Sequence, residues 1–305
     1  ATGAVDSVLT PEEIGAELER LARAPPGRRR PRASAPEPAA DPLLAIFDLL
    51  RTGTGVDFDS YKRPMVQRRV LRRMGRHDIS DLDAFAEFLR GHPDALVELR
   101  RDLLIRVTRF FRDPETFHVI EQRVLPRLLE GGDSDAPFRV WVPGCATGEE
   151  AYSIAMCVLD AIGDRRRLQL LGTDIQQEMI DRARRGVYSA TALKPLTAAQ
   201  RTRYFRKLDD GRFAVDNRLR DVCVFSRHDI TRDPPFSRID LASCRNLLIY
   251  LQPASQRKVV RLLHYALNPR GCLVLGAAET AGAPELFEPQ EDKRRRIYLR
   301  SDSAP

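Results

Sequence analysis

Apolar residues recur three and four positions apart through the first part of the chain, and the rhythm changes near residue 138. Helical spacing predicts helices over Leu43 to Leu50, Met65 to Met74, Leu82 to Leu89, Ala95 to Val107 and Pro114 to Leu129, punctuated by Gly53, Gly55, Gly75, Gly91 and Pro93. Beyond that point, short apolar runs predict buried strands at Phe138–Val142, Leu168–Gly172, Val222–Ser226, Ile239–Ser243 and Cys272–Gly276. Helices are expected between them at Glu149–Ile162, Gln176–Arg184 and Pro253–Leu267. Such alternation predicts an α/β domain, a mostly parallel sheet with helices on both faces. The run Arg296–Leu299 suits an edge strand, and residues 204–221, with Gly211 and the alternating Arg212-Phe213-Ala214-Val215, suit an inserted hairpin. Ahead of all this, residues 8–24 read as a short helix and residues 25–42, rich in proline and alanine and carrying Arg28-Arg29-Arg30, as a linker. The expected organisation is therefore 1–42 helix and linker, 43–130 helical domain, 131–300 α/β domain and 301–305 tail.

Composition narrows the class. With 43% hydrophobic and 30% charged residues over 305 positions, most of the chain should bury a core. It has no apolar run near the ~18 residues of a membrane span and no basic-then-apolar leader, so a soluble cytoplasmic protein without membrane insertion is expected. Five widely spaced cysteines without a CxxC pair, and five histidines without an HxxxH pair, argue against disulfides and metal.

A net charge of +7 favours an acidic partner, which could be nucleic acid, a membrane surface or a protein helix. Residues 62–76 sharpen this, holding Lys62, Arg63, Arg68, Arg69, Arg72, Arg73 and Arg76 with no acid. Arg69, Arg72, Arg73 and Arg76 follow helical spacing while Val66, Val70 and Met74 occupy another face. A solvated face explains the pattern too. An acidic helix suits it better than nucleic acid, because no aromatic residues are interleaved to stack bases.

The strongest local signal is Val140-Trp141-Val142-Pro143-Gly144-Cys145-Ala146-Thr147-Gly148-Glu149-Glu150. A strand enters a glycine-containing turn and a helix starts at once, which lets a ligand approach the backbone and the free N–H groups. The next strand ends at Asp174, where a carboxylate suits ribose hydroxyls. The turn is not GxGxxG, and Glu150 would repel a pyrophosphate but tolerate a cation such as a sulfonium. An ordinary strand–turn–helix with a solvent-facing acid remains open on spacing alone.

Four stretches together resemble the chemotaxis receptor methyltransferases, the CheR family: Thr108-Arg109-Phe110-Phe111-Arg112-Asp113, then Gly144–Ser153, then Asp174, then Ser243-Cys244-Arg245-Asn246-Leu247-Leu248-Ile249-Tyr250. The resemblance covers residues 44–300 and implies a Rossmann-like S-adenosylmethionine-dependent methyltransferase sheet with a small inserted β-subdomain, preceded by a small all-helical domain. It implies S-adenosylmethionine as cofactor and S-adenosylhomocysteine as product, held by Thr108, Arg112, Gly144, Glu150, Asp174, Asp229, Arg245 and Asn246. Arg112, Arg245 and Tyr250 would serve the reaction, and Arg69, Arg72 and Arg73 the substrate, the cytoplasmic helices of chemotaxis-type receptors. Two residues before Thr108 the family has an asparagine on the cofactor, where this chain has Arg106. The first 42 residues resemble the linker of a methylesterase–methyltransferase fusion, and the hairpin stretch is about three residues shorter than in peptide-tethered relatives.

The implied chemistry is transfer of a methyl group to glutamate, giving a methyl ester. A glutamate with an ordinary pKa of about 4.3 is already ionised at neutral pH, so no general base is needed. Two other readings stay open: a methyltransferase for RNA or a small molecule, and a cofactor-binding signalling module without turnover, motivated by Arg106. Asp233-Pro234-Pro235-Phe236 resembles a base-methylating motif but precedes the strand such a motif would follow.

Overall fold

The computed structural model describes residues 41–130, 136–163, 167–290 and 295–302. The expected amino-terminal helix, the linker and the fused methylesterase lie outside the described residues. From Pro42 onward the chain forms one compact unit.

Four helices come first: α1 (Pro42–Thr54), α2 (Arg63–Met74), α3 (Leu82–Gly91) and α4 (Pro93–Leu103). Helix α1 turns Leu43, Ile46, Phe47 and Leu50 inward at helical spacing. Asp81 caps α3 by accepting from the Ala84 N–H at 2.8 Å, and prolines occupy the first turns of α2 and α4, where an N–H is not needed. After α4 the backbone is extended at Leu104, and residues 105–109 run without regular structure.

Helix α2 buries Val66, Val70 and Met74 as its spacing predicts, but it also turns two arginines inward. Arg73 is 8% exposed and donates to Glu98 at 2.7 Å and to Asp102 at 2.9 Å, while Arg69 donates to the Asp102 carbonyl. Of the three arginines assigned to a free substrate face, only Arg72 points to solvent, alongside Arg63, Arg68 and Arg76. The cause is α4, whose acids Glu98 and Asp102 lie against that side of α2 and capture Arg69 and Arg73. Arg73→Ala should therefore lower stability by about 1–2 kcal/mol, a charged hydrogen-bond loss discounted for the exposure of both acids. Thermal unfolding should register it, whereas Arg72→Ala should leave the melting temperature unchanged.

The segment α5 (Pro114–Val119) continues through one π-helical turn, Ile120–Val124, into α6 (Leu125–Leu129). Pro126 accounts for that turn: it offers no N–H to the preceding turn and its ring crowds the carbonyl four residues back. There follow β1 (Phe138–Pro143), α7 (Glu149–Ile162), β2 (Leu168–Asp174), α8 (Gln177–Arg185) and the short β3 (Val187–Tyr188). Next come α9 (Ala198–Tyr204), β4 (Phe205–Lys207), β5 (Phe213–Val215), α10 (Asn217–Arg220) and β6 (Cys223–Arg227). The chain ends with β7 (Ile239–Cys244), α11 (Pro253–Ala266), β8 (Leu267–Leu275), β9 (Phe287–Pro289) and β10 (Ile297–Arg300).

Seven strands form one sheet in the order β6-β2-β1-β7-β8-β10-β9, parallel as far as β8 and antiparallel beyond it. Side chains alternate along β1, so Val140 and Val142 join one core cluster with α5, α6 and α7, and Trp141 joins the other with α1–α4 and α11. The last strand differs from expectation. β10 is not an edge, because β9, too short to read from the sequence, pairs along its outer side. The inserted hairpin is real, β4 with β5, but β3 completes it as a three-stranded sheet that begins at Val187.

Candidate active site

Strand order reverses between β1, whose successors β2 and β6 lie to one side, and β7, followed by β8 on the other. Ligands of open α/β sheets bind at the carboxyl ends of strands at such a switch point. Every motif singled out in the sequence except the basic helix converges there. A cleft is lined by Tyr61, Thr108, Arg112, Gly144, Glu150, Asp174, Arg245, Asn246 and Tyr250, among others. A smaller hollow shares Tyr61, Gly144, Asp174 and Leu247 with it and reaches Asp229.

Gly144 follows β1 with φ of 70°, a left-handed conformation that strains any side-chain-bearing residue, which accounts for glycine at the floor. Asp174, 8% exposed, accepts from the Ala146 N–H at 3.0 Å and the Gln176 N–H at 2.8 Å, tying the two strand-end loops together. Burial pushes its carboxyl above the ordinary range, against those two hydrogen bonds and the Arg106 charge. Glu150 is also pushed up by burial, opposed by Arg245 and by Ser243, whose hydroxyl donates to it at 2.8 Å. Asp229 sits in the smaller hollow and accepts from the Thr231 N–H and hydroxyl at 2.9 and 2.7 Å.

Arg245 lines the cleft and is tied to its neighbours. Its side chain is 1% exposed, donates to Asp113 and to the Arg112 carbonyl at 2.7 Å each, reaches Glu150 at 3.5 Å and lies over the Phe117 ring. A guanidinium held by two carboxylates ties the walls of the cleft together. Arg112 is half-buried with one bond to the Val107 carbonyl at 3.2 Å, and Tyr250 is half-buried at the cleft wall, so both are among the polar groups lining the space, with Thr108 and Asn246. Arg106 turns away from the cleft, pairing with Glu178 at 3.9 Å.

Two residues escaped the sequence reading. Tyr61, 7% exposed, comes from the helical segment before α2 and lines both spaces; burial and the Asp229 and Asp174 charges push its phenol up. No motif surrounds it, and its bridge to Leu251, flanked by the Lys62 N–H on the Tyr250 carbonyl and the Gln252 N–H on the Ser60 carbonyl, brings it here. Glu279, 4% exposed, accepts from the backbone N–H of Asn246 at 2.8 Å, of Gly276 at 2.7 Å and of Ile249 at 3.2 Å. Its signal was a lone charge between Gly271 and Pro284.

The parallel sheet, the glycine turn after its first strand and the acid-lined cleft at its switch point define a Rossmann-like methyltransferase domain. Residues 42–104 match the CheR methyltransferase all-alpha domain and residues 106–295 the CheR methyltransferase SAM-binding domain, so the chain belongs to the CheR methyltransferase family. A 104.1 kDa protein of Rhodobacter capsulatus is 35% identical along the whole of this chain, which spans about a third of that relative (35%). Methyltransferase Cher3 of Pseudomonas putida is 33% identical over 80% of this chain and 91% of its own length. The chemotaxis protein methyltransferase of Listeria monocytogenes is 30% identical over 77% of this chain and 88% of its own.

The residues present fit S-adenosylmethionine. The buried acids Glu150 and Asp174 suit a sulfonium cation and ribose hydroxyls, and each carboxylate keeps lone pairs beyond the bonds described. The Asn246 side-chain oxygen is buried at the cleft with no partner, an acceptor held ready for a donor on the ligand. No helix among the described residues is long and apolar enough to cross a membrane.

Proposed function

We propose that this chain methylates glutamate side chains on an acidic helical protein segment of the chemotaxis-receptor kind, forming methyl esters. S-Adenosylmethionine brings the electrophilic methyl group. The observation that carries the reading is the lining of the main cleft, which has no histidine and no lysine, while Glu150 and Asp174 accept from Ser243, Arg245 and backbone N–H groups and His228 of the adjoining hollow has a ring nitrogen on the Pro234 carbonyl. A hydroxyl or a protonated amine would need a base there; an ionised glutamate would not. Arg112 and Tyr250 would orient that carboxylate by charge-assisted hydrogen bonds, and exclusion of water would raise its reactivity. Arg106, the motive for a binding-only module, belongs to the surface around Glu178 instead.

The outer face of α2, now Arg68, Arg72 and Arg76 with the exposed Leu71, is the basic surface for the receptor segment. The turn between β4 and β5 is closed by Arg212 on Asp210, a compact tip that supports recognition without a tethering tail peptide. The test is incubation with labelled S-adenosylmethionine and receptor-containing membranes. Base-labile label released as methanol is expected, reduced several-fold in Arg68→Ala/Arg72→Ala with unchanged cofactor affinity; base-stable label alone would refute glutamate as the acceptor.

A further inference from the structure

Beside the cleft lies a shallow depression of about 410 Å³ lined wholly by charged side chains: Arg101, Arg106, Glu178, Asp181, Arg182 and Arg185. Four arginines face two acids, and both acids are already engaged. Glu178 takes Arg101 and Arg106, and Asp181 takes Gln177 at 2.8 Å and Arg184 at 3.8 Å. Arg182 and Arg185 have no ion pair among the described residues, and both are exposed. They are not needed by the fold, because α8 packs through Met179, Ile180 and Ala183.

The depression and the cleft share one wall. Ile105 and Val107 line the cleft while Arg106 between them lines the depression. Val107 stands 76% exposed on that lip, an apolar side chain of the kind normally covered. Helix α4 joins this region to the outer basic face, since its Asp102 holds Arg73 of α2 and its Arg101 holds Glu178 of α8. Helix α4 therefore connects the two basic regions, and the segment after it, carrying Val107, forms the lip.

We infer that Arg106, Arg182 and Arg185, with Val107 between them and the cleft, form a second docking flank that grips an acidic, amphipathic protein helix on the far side of the methylated glutamate. The inference rests on the proposed glutamate methylation and adds where the substrate lies. A helix offering one side chain to a cleft must run past both lips, at 1.5 Å per residue, so about two turns beyond the acceptor reach about 10 Å along the surface. Carboxylates one or two turns away then meet Arg182 and Arg185, and an apolar residue covers Val107. The depression has no apolar lining to hold a small molecule and no aromatic side chain to stack a base.

The test compares the full chain with its Arg182→Glu/Arg185→Glu variant, measuring methylation of receptor-containing membranes against receptor concentration at two salt concentrations. Calorimetry with S-adenosylhomocysteine accompanies it. The expected result is a rise of about tenfold in the apparent KM for receptor at low salt, with cofactor affinity and kcat near wild type. The difference should shrink as salt screens the charges over about 8 Å. An unchanged KM in the variant, while the wild type methylates normally, would overturn the flank and leave the proposed function standing. No base-labile label from the wild type would overturn both. A duplex oligonucleotide that binds the wild type, competes with receptor and loses affinity in the variant would overturn it in favour of nucleic acid.

Discussion

Replacing Asp174 with alanine is expected to weaken S-adenosylmethionine and S-adenosylhomocysteine alike by about 10- to 100-fold, the loss of a hydrogen bond to a charged acceptor. The carboxylate closes β2 at the switch point and holds the Ala146 and Gln176 N–H groups, so it shapes the floor as well as meeting the ligand. Asp174→Asn is the milder change, since the amide oxygen keeps one of the two backbone N–H partners while the charge is lost. Acid should imitate the substitution. Burial raises the Asp174 carboxyl, so its ionised form is lost on acidification at a higher pH than the ordinary aspartate value of about 3.9. Affinity should be flat above that raised pKa and fall as pH drops through it. The linked stability runs the other way: a folded-state pKa above the unfolded one costs stability once pH exceeds the unfolded value. Glu150 shifts in the same direction, so the informative quantity is the difference between wild type and Asp174→Asn across pH. Unchanged calorimetric affinity in Asp174→Ala would remove the residue from the site.

Local chemistry explains which parts of the fold were legible. The parallel strands announce themselves because both faces of each are covered, which forces continuous apolar runs such as Phe138 to Val142. β9 gave no such signal: Phe287-Glu288-Pro289 is three residues at an edge with only Phe287 buried. Helix starts and the glycine turn were readable since their causes lie within a few residues. The fate of an arginine was not, because its partner can lie anywhere in the sequence. Arg73 finds Asp102, Arg245 finds Asp113, and Arg106 finds Glu178, at separations of 29, 132 and 72 positions. The family resemblance pointed to Arg245 and Asn246 after a strand, yet could not say that one is tied to Asp113 and the other carries an unpartnered acceptor. Tyr61 and Glu279 were missed for the same reason: each is brought to the cleft by topology, from outside every motif.

Glu279→Gln should cripple the protein more than loss of any residue facing the cleft. Three backbone N–H groups converge on this one buried carboxylate, two of them, from Asn246 and Gly276, on the same oxygen. The segment it holds is under constraint, with Asn246 in the left-handed region at φ of 58°. Gly276 leaves no slack, since a Cβ there would lie 2.7 Å from the Glu279 carboxylate and 2.9 Å from the Asn246 amide. An amide at position 279 must present its NH2 either to the Asn246 and Gly276 donors or to the Ile249 donor, leaving at least one buried N–H facing another donor. Each unsatisfied group costs about 1–3 kcal/mol, and the loop would relax away from its left-handed turn. Asn246 and Tyr250 ride on that loop, and a displacement of about 1 Å at reacting groups can cost about 100-fold in rate. The expected outcome is a melting temperature several degrees lower, weaker S-adenosylhomocysteine binding and turnover down by about 100-fold at saturating cofactor. Glu279→Asp distinguishes positioning from mere folding: it keeps the charge, so it should recover most of the melting temperature while its shorter reach leaves turnover depressed. A Glu279→Gln protein with wild-type cofactor affinity and turnover would show that the loop holds its shape without the carboxylate.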